Sequence, residues 1–488
     1  MGRFWLVAIR ARCYLAAMDV WQQHTPLDAD TCRKARLSRD PRFDGEFYLG
    51  VTTTGIYCRP VCPARVPAEK NVRYFRHAAQ AAEAGFRPCL RCRPETAPDS
   101  PARAGSVTTV NRALQLIRGG ALNNGGSIPA LADRLGVGDR YLRKLFQREL
   151  GLSPHAVAHN HRLLMARQLI AETSLPLTDI ASASGFGSLR RFNSAIRAAY
   201  GVPASTMRRR KPGRGAPDAI RLELRYRAPY DWDGVIDYFR RHAVEGIETV
   251  EDSCYRRTLS VGQSTGSMTI APKARANSLE LSLQLPHSTN IMPLISGVRR
   301  MFDLDANPSI IGASLAADEV IGGLWQSTPG IRSPGCWSPA ESSVRAIVGQ
   351  QVSTVAARSI CGRFATACAG PSQALAFPTP AQIAALDDDQ FPMPGNRRDT
   401  LRRLGQAGIS HDMLDTDELA ELKGVGPWTV AMVAMRGLGN PDVFPASDLG
   451  LIRAWEQLGG DRKALTKAQE KWRPWRSYVA NLLWRSLS

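Results

Sequence analysis

No apolar run of the roughly 18 residues needed to span a membrane occurs in the 488-residue sequence. The one apolar stretch near the start, FWLVAI, is shorter than the roughly 7–15 residues of a secretory-signal core, and Arg10 and Arg12 end it. Residues 1–23 are therefore expected to be an N-terminal extension of a cytoplasmic protein with no membrane partner. Acidic residues are scarce, but in one half only. Residues 1–216 hold 34 Lys and Arg against 15 Asp and Glu, whereas residues 217–488 hold 29 of each. The whole net charge of +19 thus sits in the first half, and so one-sided a block implies attraction to a polyanion such as nucleic acid. Regularly spaced cysteines are lacking outside one cluster. Cys13, Cys32, Cys254, Cys336, Cys361 and Cys368 are scattered, which argues against a disulfide frame and for a reducing compartment.

Two Pro/Gly/Arg-rich breaks, 93–106 and 208–217, and a softer boundary near 307–312 divide the chain into four blocks. The third holds alternating runs at 220–226, 257–262, 267–271 and 279–285, which predict an antiparallel sheet, with a helix over 232–243 between them. The other blocks carry the motifs.

Cys58 and Cys62 form a C-x3-C clip, and Cys89 and Cys92 a C-x2-C clip 26 residues further on. Four thiolates at this spacing suit one tetrahedral zinc ion. Most such sites only hold a fold together, and spacing cannot tell a structural site from a reactive one. The surroundings TTTGIYCRPVCPAR, NVRYF and AGFRPCLRC resemble the Ada-type DNA repair domain over residues 24–98. The resemblance implies that Cys58 is a zinc-bound thiolate that takes a methyl group irreversibly from a DNA methylphosphotriester. The Pro-Cys-His-Arg acceptor motif of that family's other half is absent, so direct repair of O6-methylguanine is not expected.

Residues 127–154 read as helix, Gly-containing turn, helix, with Leu142, Leu145 and Phe146 inward and Arg140, Arg143 and Lys144 outward. Residues 176–209 repeat the pattern, with Leu189, Phe192 and Ile196 inward and Ser188, Arg190 and Arg191 outward. Two such units joined by a long helix over 155–172 resemble the AraC/XylS double helix-turn-helix domain, here 106–210. The resemblance implies sequence-specific binding to double-stranded DNA, each second helix in a major groove, and RNA polymerase as a partner.

In LKGVGPWTVAMVAMRGLG (422–439), a G-V-G turn precedes a proline suited to a first helical turn, which predicts a helix-hairpin-helix. Lys423, Gly424 and Gly426 are its candidate DNA-phosphate contacts. Asp448 follows in DVFPASDLGLIR. Alone, an Asp at a helix start is an N-cap. With PYDW (229–232), SPGCW (333–337), VRAIVGQQVS (344–353) and WRPWRSY (472–478), the region 218–488 resembles the AlkA-type alkylbase glycosylases. The resemblance implies a sheet subdomain at 218–306, an all-α helix-hairpin-helix domain at 307–488, Asp448 as the catalytic carboxylate, and Trp428, Trp484 and Tyr238 around the flipped base. Bifunctional members carry a Lys where Trp428 stands, so a monofunctional hydrolase without strand cleavage is expected. Gln351 replaces the usual apolar wedge, and Met432 and Leu449 replace two family tyrosines.

The expected fold is multidomain and mainly α: a small α/β zinc domain, an all-α double helix-turn-helix domain, and an α+β glycosylase. The expected protein is a monomeric DNA alkylation-response protein with one zinc ion held by four cysteines. It would join a methyl acceptor that switches on transcription to a glycosylase of the 3-methyladenine type. The alternative is a methylation-sensing regulator whose C-terminal half only grips DNA.

Overall fold

The computed structural model describes residues 28–94, 97, 109–123, 125–208, 219–261, 264–274, 276–285, 291–369, 375–408, 414 and 416–487. The 1–23 extension and most of both Pro/Gly/Arg-rich breaks lie outside them.

The cysteine block forms a small four-stranded sheet. Its strands are β1 (Tyr48–Val51), β2 (Ile56–Cys58), β3 (Val72–Phe75) and β4 (Arg87–Pro88), in the order β3-β1-β2-β4. β1 pairs antiparallel with β2 and β3, while β4 runs parallel to β2. This parallel pair brings the clip after β2 beside the clip after β4. A helix, Ala29–Ser38, is started by Asp28, whose carboxylate accepts from Thr31 N at 2.7 Å.

The Arg-rich block folds as two helix pairs, Ile128–Asp133 with Asp139–Leu150 and Leu177–Ala183 with Leu189–Tyr200, joined by Pro154–Glu172. Serines start three of these helices. Ser127, Ser153 and Ser188 each accept a backbone N–H three residues on, at 3.3, 3.2 and 3.3 Å. Leu142, Leu145 and Phe146 in the first pair, and Phe192 and Ile196 in the second, are buried as their spacing predicts; Leu189 is 39% exposed.

The sheet subdomain has five antiparallel strands, β5 (Ala219–Arg225), β6 (Glu248–Glu251), β7 (Cys254–Val261), β8 (Ser264–Pro272) and β9 (Ser278–Gln284), in the order β5-β9-β8-β7-β6. The helix Trp232–His242 packs on it. β6 and the first residues of β7 fall outside the predicted runs; the buried residue of β6, Glu248, is charged, and its partner Arg257 is an inward charge on β7. Glu248 and Arg257 are buried and paired with each other at 2.9 Å, Arg257 also pairs with buried Glu341, and Arg345 pairs with both glutamates. A buried charge reads as a solvated one until its partners are known.

The breaks in composition are not breaks in packing. One apolar core runs from the joining helix (Leu163, Leu169, Ile170) and the second helix pair (Ile180, Phe192, Ile196) into the sheet residues Leu222, Leu224, Leu279, Leu281 and Leu283. The cysteine domain docks on the glycosylase half through polar groups. Arg227 Nε donates to the Asp44 carbonyl at 2.9 Å, and Asn307 Nδ2 to Glu46 Oε1 at 2.9 Å. Glu172 joins three blocks: it pairs with Arg93 and accepts from Gln168 Nε2 at 3.1 Å and Glu223 N at 3.0 Å.

Candidate zinc and base-excision sites

Cys58 ends β2, Cys62 follows one turn later, and Cys89 and Cys92 flank the turn after β4. Their four Sγ atoms lie within 4.8 Å of one another, close enough for a single cation at about 2.3 Å from each. The chemistry of the set also calls for a cation. The Cys58 thiol is pushed up by its hydrogen bonds with Cys62, Cys89 and Cys92 and then by burial. Four thiolates cannot share so small a space without a divalent ion. Among the described residues, backbone N–H groups donate to Cys92 Sγ (from Arg59, 3.4 Å) and to Cys89 Sγ (from Arg91, 3.4 Å), but no such bond reaches Cys58 Sγ. Arg59 is buried in the same wall; its Nε donates to Asp44 Oδ1 at 2.7 Å and its Nη1 to the Cys92 carbonyl at 3.0 Å.

The second site is built around Asp448. It caps the helix Leu449–Gln457, and its Oδ1 accepts from Leu451 N at 3.0 Å. Unlike an ordinary cap, it also takes two indole N–H donors. Trp484 Nε1 lies 3.0 Å from Oδ1, and Trp428 Nε1 lies 3.0 Å from Oδ2. The carboxylate is thus locked in orientation at a cavity of about 620 Å³ lined by Tyr238, Trp428, Met432, Arg436, Asp448 and Trp484. All three aromatic residues expected there line it. Met432 lines it as well, whereas Leu449 is 61% exposed and outside it.

Arg436 is a residue that motif reasoning misses. It is buried, donates to the Pro334 carbonyl at 2.6 Å and to Asn481 Oδ1 at 3.0 Å, and lies over the Tyr238 ring at 4.7 Å and the Trp484 ring at 5.2 Å. It therefore covers one face of each ring and fixes both. The only signal in the sequence is a lone cation closing the apolar helix PWTVAMVAMR.

The hairpin turn sits as expected between helices Thr416–Glu421 and Pro427–Arg436. Gly424 has φ +98°, and a Cβ there would lie 2.0 Å from Thr400 Oγ1, so only glycine fits. Lys423 and Gly426 are exposed on either side, and Gly426 caps the second helix. Gln351 is exposed on the loop before the helix Thr354–Cys368. Arg140, Arg143, Lys144, Arg190 and Arg191 are exposed on the second helices of their pairs. The Ser188 hydroxyl is engaged in capping its own helix.

Trp428→Phe keeps a ring in the wall but removes one donor from Asp448. A hydrogen bond to a charged group contributes about 1.5–3 kcal/mol. Base release in single-turnover assays should therefore fall by about 10- to 100-fold, with the melting temperature lowered by only a few degrees.

Comparison with known proteins accounts for the same regions. Residues 31–95 match the metal binding domain of Ada, 131–210 a helix-turn-helix domain, 221–338 the AlkA N-terminal domain, and 344–476 the HhH-GPD superfamily base excision DNA repair protein. A probable bifunctional transcriptional activator/DNA repair enzyme AlkA of Mycobacterium tuberculosis is 39% identical over 483 residues, covering 94% of this chain and 97% of that one. The DNA-3-methyladenine glycosylase 2 of Escherichia coli is 32% identical over 278 residues, 54% of this chain and 95% of its own length. The bifunctional transcriptional activator/DNA repair enzyme Ada of the same organism is 36% identical over 159 residues, 33% of this chain and 43% of its own. The four-cysteine cluster is accordingly a zinc site. With a matching relative along nearly its whole length, the chain belongs to the family of bifunctional transcriptional activator/DNA repair enzymes that fuse an Ada-type zinc domain and a helix-turn-helix domain to an AlkA-type glycosylase.

Proposed function

We propose that this chain answers DNA alkylation with two separate chemistries. At the first site Cys58 Sγ attacks the methyl carbon of a neutral DNA methylphosphotriester. The C–O bond breaks, its electron pair stays on the phosphate oxygen, and Cys58 becomes a thioether. Bound zinc keeps the four cysteines deprotonated at neutral pH. Among the described residues the backbone N–H donors fall on Cys89 and Cys92, which leaves Cys58 and Cys62 with the less encumbered lone pairs, and the resemblance of TTTGIYCRPVC to the Ada fingerprint singles out Cys58 as the nucleophile. Methylation cannot be reversed at the site, so each molecule acts once. It also removes one negative charge from a surface that faces DNA, which strengthens binding through backbone electrostatics and couples repair to activation.

At the second site a methylated base is flipped out of the duplex into the cavity. The bond between C1′ and the base nitrogen breaks with its electron pair leaving on the base. The positive charge that develops on the sugar faces the Asp448 carboxylate, and water adds at C1′ as Asp448 receives its proton. The observation that carries this half is the Asp448 carboxylate held by two indoles at the cavity. It favours a working glycosylase over the regulator that only grips DNA, because a phosphate-binding hairpin alone needs no such carboxylate. The substrate is alkylated double-stranded DNA; a monomer that recruits RNA polymerase at its promoter sites completes the reading, and it acts in the cytoplasm.

Incubation with duplex DNA containing 3-methyladenine and 7-methylguanine should free both bases and leave abasic sites in unbroken strands. Strand cleavage before alkali treatment would contradict the monofunctional reading.

A further inference from the structure

The loop between the helices Pro339–Val348 and Thr354–Cys368 is held in an unusual way. Gln351, exposed at its tip, has φ +57°, a left-handed setting that a non-glycine residue keeps only where its neighbours impose it. Two neighbours do so. Arg397 Nη1 donates to the carbonyls of Val348 at 3.2 Å and Gln350 at 2.9 Å, which fixes the backbone. The Gln350 side chain then reaches across to the hairpin: its Nε2 donates to the Gly424 carbonyl at 3.1 Å and to Thr429 Oγ1 at 3.0 Å. Gly424 is itself wedged against Thr400, and Thr429 is buried. The residue before Thr429 is Trp428, whose indole holds Asp448. One side-chain amide therefore joins the loop that presents Gln351 to the turn that presents Trp428 and, through it, the carboxylate.

We propose that Gln350 is a positioning residue for base extrusion, setting Gln351 at a fixed place relative to Asp448. The inference rests on the base-excision reading of Asp448. A nucleotide that leaves a duplex opens a gap in the stack, and the gap must be filled while C1′ lies at the carboxylate. Gln351 can fill it only if its loop does not move against the hairpin. Gln350 touches neither the base nor the sugar; it acts through the two elements it ties together. The Gly424 carbonyl can only accept, so this bond requires an N–H donor, whereas the Thr429 hydroxyl can also turn and donate. A shape-conserving change that removes the donor should thus release the loop.

The test is single-turnover base release from two duplexes, one with the lesion opposite its normal partner and one with the lesion opposite an abasic site, where no pair has to be broken. Gln350→Glu sets a carboxylate against the Gly424 carbonyl. It should slow release from the paired lesion by about tenfold and from the unpaired lesion by no more than about twofold, with bound zinc and melting temperature as in the wild type. Gln350→Met, which keeps the length without polarity, should show the same selective loss and serves if the glutamate variant folds poorly. Equal losses on both duplexes, or none, would overturn the positioning role. No release by the wild type from either duplex would instead overturn the base-excision reading beneath it.

Discussion

Asp448→Asn should abolish release of methylated bases, by a factor on the order of 10³ or more, while methyl transfer to Cys58 proceeds as in the wild type. The substitution is nearly isosteric, and Asn is as good a helix cap as Asp, so the bond from Leu451 N survives. What changes is charge. The developing positive sugar loses its facing carboxylate, and with the amide oxygen kept on Leu451 N and Trp484, the amide NH2 is turned toward the Trp428 indole N–H, donor against donor. The stability cost should stay near about 1 kcal/mol, since both indoles are only half-buried and can rehydrate. Loss of release with an unchanged melting curve would separate chemistry from folding. Appreciable residual release would mean that the cavity and its rings, rather than the carboxylate, carry the rate.

Cys58→Ala should do the reverse. It removes the attacking sulfur, so no methyl group can be gained, and it leaves Cys62, Cys89 and Cys92 as a three-cysteine zinc site completed by water. The groups that dock this domain on the glycosylase half, the Asp44 carbonyl and Glu46, are untouched. Base release should therefore stay within about twofold of the wild type. Mass spectrometry after incubation with methylphosphotriester DNA should show one added methyl group on the wild type and none on the variant. The methylated wild type should also bind DNA more tightly than the unmethylated protein at low salt, and the difference should shrink as salt rises. An added methyl group on Cys58→Ala would place the acceptor at another sulfur of the set.

Features encoded within short stretches were legible in the sequence. The two cysteine clips, the alternate burial of the paired helices and the Gly-Val-Gly-Pro turn each lie within a short local window. The structure brings the four sulfurs together and places Trp428, Trp484 and Tyr238 on one cavity with Asp448. Asp448 illustrates why the plain reading of a residue need not exclude the functional one: it is the N-cap that its position suggests, and it also accepts the two indoles. What was hidden depends on partners far apart in the chain. Glu248, Arg257, Glu341 and Arg345 look like solvated charges in sequence, yet they form one buried cluster that shapes β6 and β7. Arg436 meets Tyr238 from a distant part of the chain, and Gln350 meets Gly424 across 74 residues. The docking of Arg227 on Asp44 spans 183 residues. None of these pairings has a local period or a turn signal, so pattern reasoning cannot reach them.

The central claim is that one chain carries two independent reactive centres. The most direct test incubates wild type, Cys58→Ala and Asp448→Asn with one batch of DNA bearing both methylphosphotriesters and methylated bases, and scores protein methylation and free base in the same tubes. The account predicts both products from the wild type, free base alone from Cys58→Ala, and methylated protein alone from Asp448→Asn. If either substitution removed both products while the protein kept its zinc and its melting temperature, the two centres would not be independent and the account would be wrong.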